Sequence, residues 1–383
     1  MIRYLFKRLL TGLVLLFIYV SLLFFSIQAI LPGDYVSQFA LGLTPSEAAT
    51  LREELKLDAP LWQRYLNWLS HVSRGDLGTS FSPWGMGPPV TQILIQTAPI
   101  TMLIFGLGTV VAFLLGQWLG RVAAWRGPGV VTGSITFVSI ALYTSFPPWI
   151  AFLMYEFIAL RFGIPVSLGG RPRFDAPGVD QAQTISRMLV GLILALLAAL
   201  MSNWLARRFF KRPLPQIVFS LLMTILWAGS WLLFGIHDLV PGILRQMAIP
   251  TATYVLLTFG EVMLIMRTTM VDTLHEDYVQ IARAKGLADH KVRDQHAARN
   301  ALLPVTSRLM ISLPFLLSSM VMIEEVMNVQ GIGTTLFYAV GMQNIPLALG
   351  ATIVIGVVAL LARLLLEVLL AALDPRIRIV SSL

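Results

Sequence analysis

Met247-Ala248-Ile249-Pro250-Thr251-Ala252-Thr253-Tyr254-Val255-Leu256-Leu257-Thr258-Phe259-Gly260-Glu261-Val262-Met263-Leu264-Ile265-Met266-Arg267 is almost wholly apolar, and the residues that follow it, Thr268 to Val305, are highly charged. A bilayer-crossing helix needs about 20 mainly apolar residues. This stretch qualifies, and seven others do too: Leu9 to Leu31, Ala98 to Arg121, Val130 to Leu160, Arg187 to Ala206, Gln216 to Ile236, Thr306 to Met327, and Leu347 to Ala371. The expected fold is therefore an all-α integral membrane protein of about eight transmembrane helices.

Composition supports that reading. The 383 residues are 56% hydrophobic and 13% charged, where soluble domains run to roughly 45–50% and about 25%. With a mean hydropathy of +0.76, a soluble enzyme, a nucleic-acid-binding domain and a disordered chain are all disfavoured. Cysteine is absent, which removes disulfides, thiolate metal sites and cysteine nucleophiles. Arg3, Lys7 and Arg8 precede the first run as they would in a secretory signal peptide, but the apolar run is about twice a signal-peptide h-region and has no clear cleavage site. It is read as an anchor.

The net charge of +8 is explained by placement. With the N-terminus cytoplasmic, eight spans return the C-terminus to the same side, and 18 of the 28 lysines and arginines then fall inside. That bias sets the orientation, and no nucleic acid is needed to account for it. The stretch from Pro32 to Thr97 becomes external; Thr44-Pro45 opens a helical pattern through Leu51 and Leu55 that Trp62, Tyr65, Leu66 and Leu69 continue, giving a small helical cap. Trp62, Tyr65 and Trp68 are expected to anchor it to the bundle or the membrane surface. Arg161 to Ser186 is external and rich in Gly and Pro, and Thr268 to Val305 is cytoplasmic and too long for a simple turn; loops of that size usually carry function.

Enzymatic signatures are missing. No G-x-x-x-x-G-K-[ST] loop occurs, so ATP phosphates have no cradle here, and neither H-E-x-x-H nor G-x-S-x-G is present. The chain is read as no enzyme, with no metal site and no catalytic residue. Carboxylates within lipid are costly and face an interior or a cavity; Glu261, Glu324 and Glu156 lie in or near spans. Glu261 either lines a solute path or is a buried carboxylate bonded to a neighbouring helix or to Arg267. Gly116 with Gly120, and Gly129 with Gly133, are small-x-x-x-small pairs read as packing.

The charged loop contains Glu276-Asp277-Tyr278-Val279-Gln280-Ile281-Ala282-Arg283-Ala284-Lys285-Gly286 and then His296-Ala297-Ala298-Arg299-Asn300-Ala301-Leu302-Leu303-Pro304. This resembles the EAA loop of ABC-importer permeases, in the longer-gapped form of the dipeptide, oligopeptide and nickel branch. Leu31-Pro32-Gly33-Asp34, Leu57-Asp58-Ala59-Pro60-Leu61-Trp62 and Gly75-Asp76-Leu77-Gly78-Thr79-Ser80-Phe81 are similar to the external N-terminal region of the first permease subunit type. Glu324 with Gly331-Ile332-Gly333, Asn344-Ile345-Pro346, and Leu373-Asp374-Pro375-Arg376-Ile377-Arg378 extend the likeness to the end. It departs from the family at Gln280, where the general motif has glutamate, at Gln330 for proline and at Asn344 for aspartate. It also departs at two extra spans, Arg187 to Ile236.

The resemblance implies a six-helix type I importer core with an inserted hairpin. Its segments are 1–31 (first span), 32–97 (cap), 98–186 (spans two and three), 187–236 (hairpin) and 237–383 (remaining core), with the coupling loop at 268–305. It also implies a multi-pass subunit of a bacterial or archaeal cell membrane. The partners would be a homologous second permease, two ABC ATPase subunits that bind ATP and Mg, an extracellular solute-binding protein and membrane lipid; this chain holds no cofactor. Tyr278, Gln280, Ala282, Arg283, Ala284, Lys285, Gly286, His296, Arg299 and Asn300 would form the ATPase-coupling site, with Gly286 permitting a turn that a side chain would obstruct. Apart from the resemblance, Glu261 and Glu324 are the candidates for the substrate path, since a carboxylate in lipid is costly unless it meets water or a partner. An ion-gradient-driven secondary transporter is the alternative from another class; against it, no internal repeat is visible and the cap has no later counterpart.

Overall fold

A computed structural model of the chain describes residues 2–30, 34–39, 42–82, 85–166, 181–210 and 216–373. The expected features at Leu31-Pro32-Gly33, in the external loop at 167–180, at the hairpin turn 211–215 and at the terminal Asp374 to Arg378 lie outside the described residues.

Helix α1 (Ile2–Ile30) leads to a cap made of a short 3-10 turn (Val36–Phe39), α2 (Pro45–Glu54) and α3 (Leu61–Val72). Thr44 caps α2 through the reciprocal Thr44–Glu47 capping box, which satisfies two otherwise orphaned N–H groups. Tyr35, Val36, Leu51 and Leu55 are buried together as the cap's own small core, and Arg52 Nε donates to Asp34 at 2.7 Å across it. The cap is not wholly helical: β1 (Thr79–Ser82) and β2 (Gly85–Pro89) form an antiparallel two-stranded hairpin. Three prolines and two glycines from Pro83 to Pro89 disfavour helix there. Of the three expected anchors, Tyr65 and Trp68 pack on Phe24 of α1, and the Tyr65 and Ser21 hydroxyls are 2.7 Å apart. Trp62 is instead exposed.

The centre is the pair α4 (Val90–Arg126) and α9 (Val240–Leu274). They approach backbone to backbone because α4 presents Gly116 and Gly120: a Cβ on them would lie 2.6 Å from the Phe259 carbonyl and 2.7 Å from the Met263 carbonyl. Small residues allow this contact in lipid, where apolar burial alone gives no drive to associate. Gly129 and Gly133 have open space beside them, so that second pair does not pack in this chain. At about 1.5 Å per residue, α4 and α9 each exceed the ~30 Å hydrocarbon thickness, and their ends project. The cap adjoins the start of α4, and the charged loop adjoins its end.

The apolar run from Val130 to Leu160, expected as one span, is broken. It consists of α5 (Val130–Tyr143), α6 (Pro147–Leu153) and a π-helical turn (Met154–Leu160), bent by 106°. Pro147 forces Phe146 out of the helical region, at φ −68° and ψ 120°. Glu156 sits exposed on the π turn. The inserted pair α7 (Gln181–Phe210) and α8 (Gln216–Leu233) follows. Ile185 and Met188 of α7 are fully buried in the main core beside Ile236, Leu103 and Ile104, and Trp227 Nε1 donates to the Met188 carbonyl at 3.1 Å.

After α9 come α10 (Asp277–Ala284), α11 (Asp289–Lys291), a π turn (Val292–Ala297), α12 (Ala298–Val326), α13 (Ile332–Gly341) and α14 (Ile345–Leu373). Among the described residues five helices are long and apolar enough to cross a membrane, and the bent pair makes a sixth candidate. The chain is thus a predominantly helical, multi-span membrane protein, in which α8 and α12 occupy the two other expected stretches. Asn344, between α13 and α14, holds the hairpin in place: its Oδ1 accepts from the Phe81 N–H and its Nδ2 donates to the Phe81 carbonyl, both at 3.1 Å.

Candidate functional site

The loop leaving α9 folds into a knob. His275 ends α9, and Glu276 turns extended to start α10. Val279 and Ala282, three apart and so on one helix face, are buried against Met266, Met270, Val292 and Ala297. At the end of α10, Gly286 takes φ +72°, the Gly286 N–H donates to the Arg283 carbonyl and the Leu287 N–H to the Ala282 carbonyl. That is a Schellman termination, which needs a left-handed residue. A Cβ at Gly286 would touch nothing within 4 Å. The position is therefore glycine for the backbone turn, as expected, and the opposition to a side chain lies in its backbone angle and not in any neighbouring group.

Polar contacts tie the knob to the bundle. Asn300 Nδ2 donates to the Tyr278 hydroxyl at 2.8 Å, joining α10 to α12. The Arg283 guanidinium lies 5.3 Å over the Trp125 ring of α4, a cation–π contact. Arg293 grips Asp294 with two bonds of 2.9 and 2.8 Å, and Arg121 of α4 stands 3.8 Å from the same carboxylate. The Arg293 hydrogen bonds, with Arg121 and His290 behind them, hold the Asp294 carboxyl below its ordinary range despite partial burial. Gln280 donates to the His275 carbonyl at 3.2 Å. Facing outward are Tyr278, Ile281, Ala284, Lys285 and Leu287, with Arg299 beyond them; His296 is half-buried. Ile281 at 53% and Leu287 at 37% exposed are outward apolar side chains that neither charge nor motif points to.

The residues of the knob and of its two supporting helices fall within the match to a known family. The model of the binding-protein-dependent transport system inner membrane component covers residues 116–379, and its N-terminal companion covers 1–104. The chain belongs to this family. Among its relatives, the dipeptide transport system permease protein DppB of Lactococcus lactis is 27% identical over 379 residues, spanning 99% of this chain and 100% of the relative. The protein of the same name from Escherichia coli K12 is 27% identical over 384 residues, spanning 99% of both.

In this inner membrane component the two remaining candidates lie away from the knob tip. Glu261 of α9 is buried and accepts from Arg308 Nε and from Ser312 Oγ, both 2.8 Å away on α12. Its partner is thus a neighbouring helix, and not Arg267. Glu324, at the far end of α12, is fully buried; it accepts from the Thr101 hydroxyl of α4 and from the Thr334 N–H in the first turn of α13. Thr101 Oγ1 in turn accepts from the Ile332 N–H at 2.8 Å. A carboxylate at a helix N-terminus meets its unpaired donors and its dipole together. Glu324 is thereby engaged in fastening α12, α13 and α4.

Proposed function

We propose that this chain is the permease subunit of an ATP-driven importer that carries peptides, or a related solute delivered by an extracellular binding protein, into the cytoplasm. Family membership and relatives named as dipeptide permeases support the reading, which assigns ATP hydrolysis to another subunit because this sequence carries no phosphate-cradling loop. The knob is the observation that carries it: Val279, Ala282 and Asn300 fix it to the bundle while Ile281, Lys285 and Leu287 are left outward. In the proposed assembly two ATPase subunits hold the ATP and Mg, one of them receives this tip, and a homologous second permease encloses the solute path with this one. That path is lined partly by the third, sixth and seventh spans. Eight spans with both termini cytoplasmic, in a bacterial or archaeal cell membrane, put the knob inside. The cap of residues 34–97 then stands outside, where it contacts the binding protein.

The test is Gly286→Val in the assembled transporter. A β-branched residue at φ +72° is strained by about 1–3 kcal/mol, enough to reshape the tip without removing a span. Expected are normal membrane insertion, reduced ATPase copurification, and at least partial loss of binding-protein-stimulated ATP hydrolysis and dipeptide uptake in proteoliposomes. Unchanged values for all three remove the knob from the coupling site. Uptake by the chain alone, driven by an ion gradient, overturns the whole proposal.

A further inference from the structure

At the knob end, the last turns of α4 and α9 and one face of α10 enclose a cleft of about 660 Å3. Ala124, Val271 and Leu274 supply apolar lining, Arg267, Arg283 and Gln280 supply polar lining, and no carboxylate lines it. Arg267 is half-buried and makes no hydrogen bond or ion pair with any described residue. The Arg283 guanidinium lies 5.3 Å over the Trp125 ring and makes no hydrogen bond or ion pair with any described residue. Nearby, Arg293 of the knob and Arg121 of α4 both face Asp294. Two guanidiniums on one concave surface without a counter-charge repel each other, and a partly buried one is costly until an anion joins it.

The geometry points to a bound lipid: we propose that this cleft takes the phosphate headgroup of an anionic membrane lipid, with Arg267 and Arg283 as its ligands. Guanidinium forks suit phosphate oxygens, and basic pockets between spanning helices are where lipid phosphates settle. The lipid is favoured over a soluble anion because the cleft lies at the ends of two membrane helices. Its apolar lining matches a glycerol backbone and first methylenes, and α4 carries Leu114 and Trp118, each 55% exposed, on its outward surface. Arg267 belongs to a span and Arg283 to the knob, so the bound headgroup would tie the angle of the knob to the membrane surface. This inference rests on the reading that α4 and α9 cross the bilayer with the knob at its face, but it uses no property of the ATPases.

The assembled transporter, in nanodiscs of phosphatidylcholine doped with a photoreactive phosphatidylglycerol, tests it, with labelled peptides mapped by mass spectrometry. Labelling is expected on the peptides around 123–128 and 267–283. It should fall about tenfold in Arg267→Gln, the loss of one charge-assisted contact, and return in Arg267→Lys. Equal labelling of Arg267→Gln and wild type overturns the site, as does a loss that lysine fails to restore. Competition by inorganic phosphate assigns the cleft to a soluble anion and overturns the lipid. Labelling that appears only after the ATPase subunits are stripped gives the arginines to an acidic protein partner, with the same result. Since the readout is lipid attachment, failure here leaves ATPase copurification and uptake as separate measurements.

Discussion

Asn344 spends both halves of its amide on one residue, Phe81, 263 positions away. Only a side chain that donates and accepts can make that pair. Aspartate, which the family pattern carries at this position, keeps the acceptor and loses the donor, and it would set a carboxylate oxygen against the Phe81 carbonyl in a site where Asn344 is 6% exposed. We expect Asn344→Asp to cost about 1–3 kcal/mol and to lower the detergent-solubilised melting temperature, while Asn344→Gln partly preserves it. An unchanged melting temperature would mean that the hairpin does not depend on this amide. The sequence marks Asn344 as a departure but contains nothing that reveals its partner. Glu261 is the same kind of case: a carboxylate in a span announces that a partner exists, yet Arg308, 47 residues away, is found only when two helices are set side by side.

Among the elements, long helices and the knob are legible because their signals are local: apolar length, a glycine between two short helical patterns, and a motif. The 106° break after Tyr143 is harder to see, since hydropathy runs straight through it; the only local trace is Phe146-Pro147-Pro148. The hairpin of α7 and α8 can be recognised as an insertion, whereas its integration cannot. Met188 is fully buried in the main core and Ile193, on the same helix, is 57% exposed. Met188→Ala should therefore destabilise by about 2–4 kcal/mol and Ile193→Ala hardly at all, by thermal denaturation in detergent. Equal, small effects would mark the insertion as a detachable rim.

The knob also carries a pH prediction. Asp294 is held below the ordinary carboxylate range, first by its hydrogen bonds from Arg293. A depressed folded-state value gives stability that is present above the unfolded value of about 4 and lost as pH falls through the folded one. A nitroxide at Lys291 should thus keep a constant spectral linewidth between about pH 8 and pH 5 and narrow only in the acid range below about 4. Narrowing that begins well above pH 5 would mean that the order of the knob does not rest on Asp294.

On the scale of the whole molecule, the proposed topology can be read directly, because the chain has no cysteine to remove. Single cysteines at Ser46 and Thr79 should react with an impermeant maleimide from outside intact cells, and one at Lys291 only after permeabilisation. The reverse pattern at either end would invert the assignment of cap and knob. Charge placement carries this expectation in the sequence, while helix ends, the break in the third stretch and the β-hairpin require the folded chain.

The two arms that hold the knob, α9 and α12, are joined at two levels, Glu261 to Arg308 and Ser312 and Thr269 to the Ala301 carbonyl at 3.3 Å, and Tyr278 to Asn300 adds a third rung from the knob's own α10 to α12. A frame pinned at successive rungs has few internal degrees of freedom, so it behaves as a ladder and not as a hinge. Force applied at its tip would reach the membrane as torque on both rails together, with little of the stroke absorbed by compliance in between. Cutting a single rung would soften the linkage without severing it, so partial uncoupling, with ATP consumed and less solute moved, is the phenotype this architecture predisposes to.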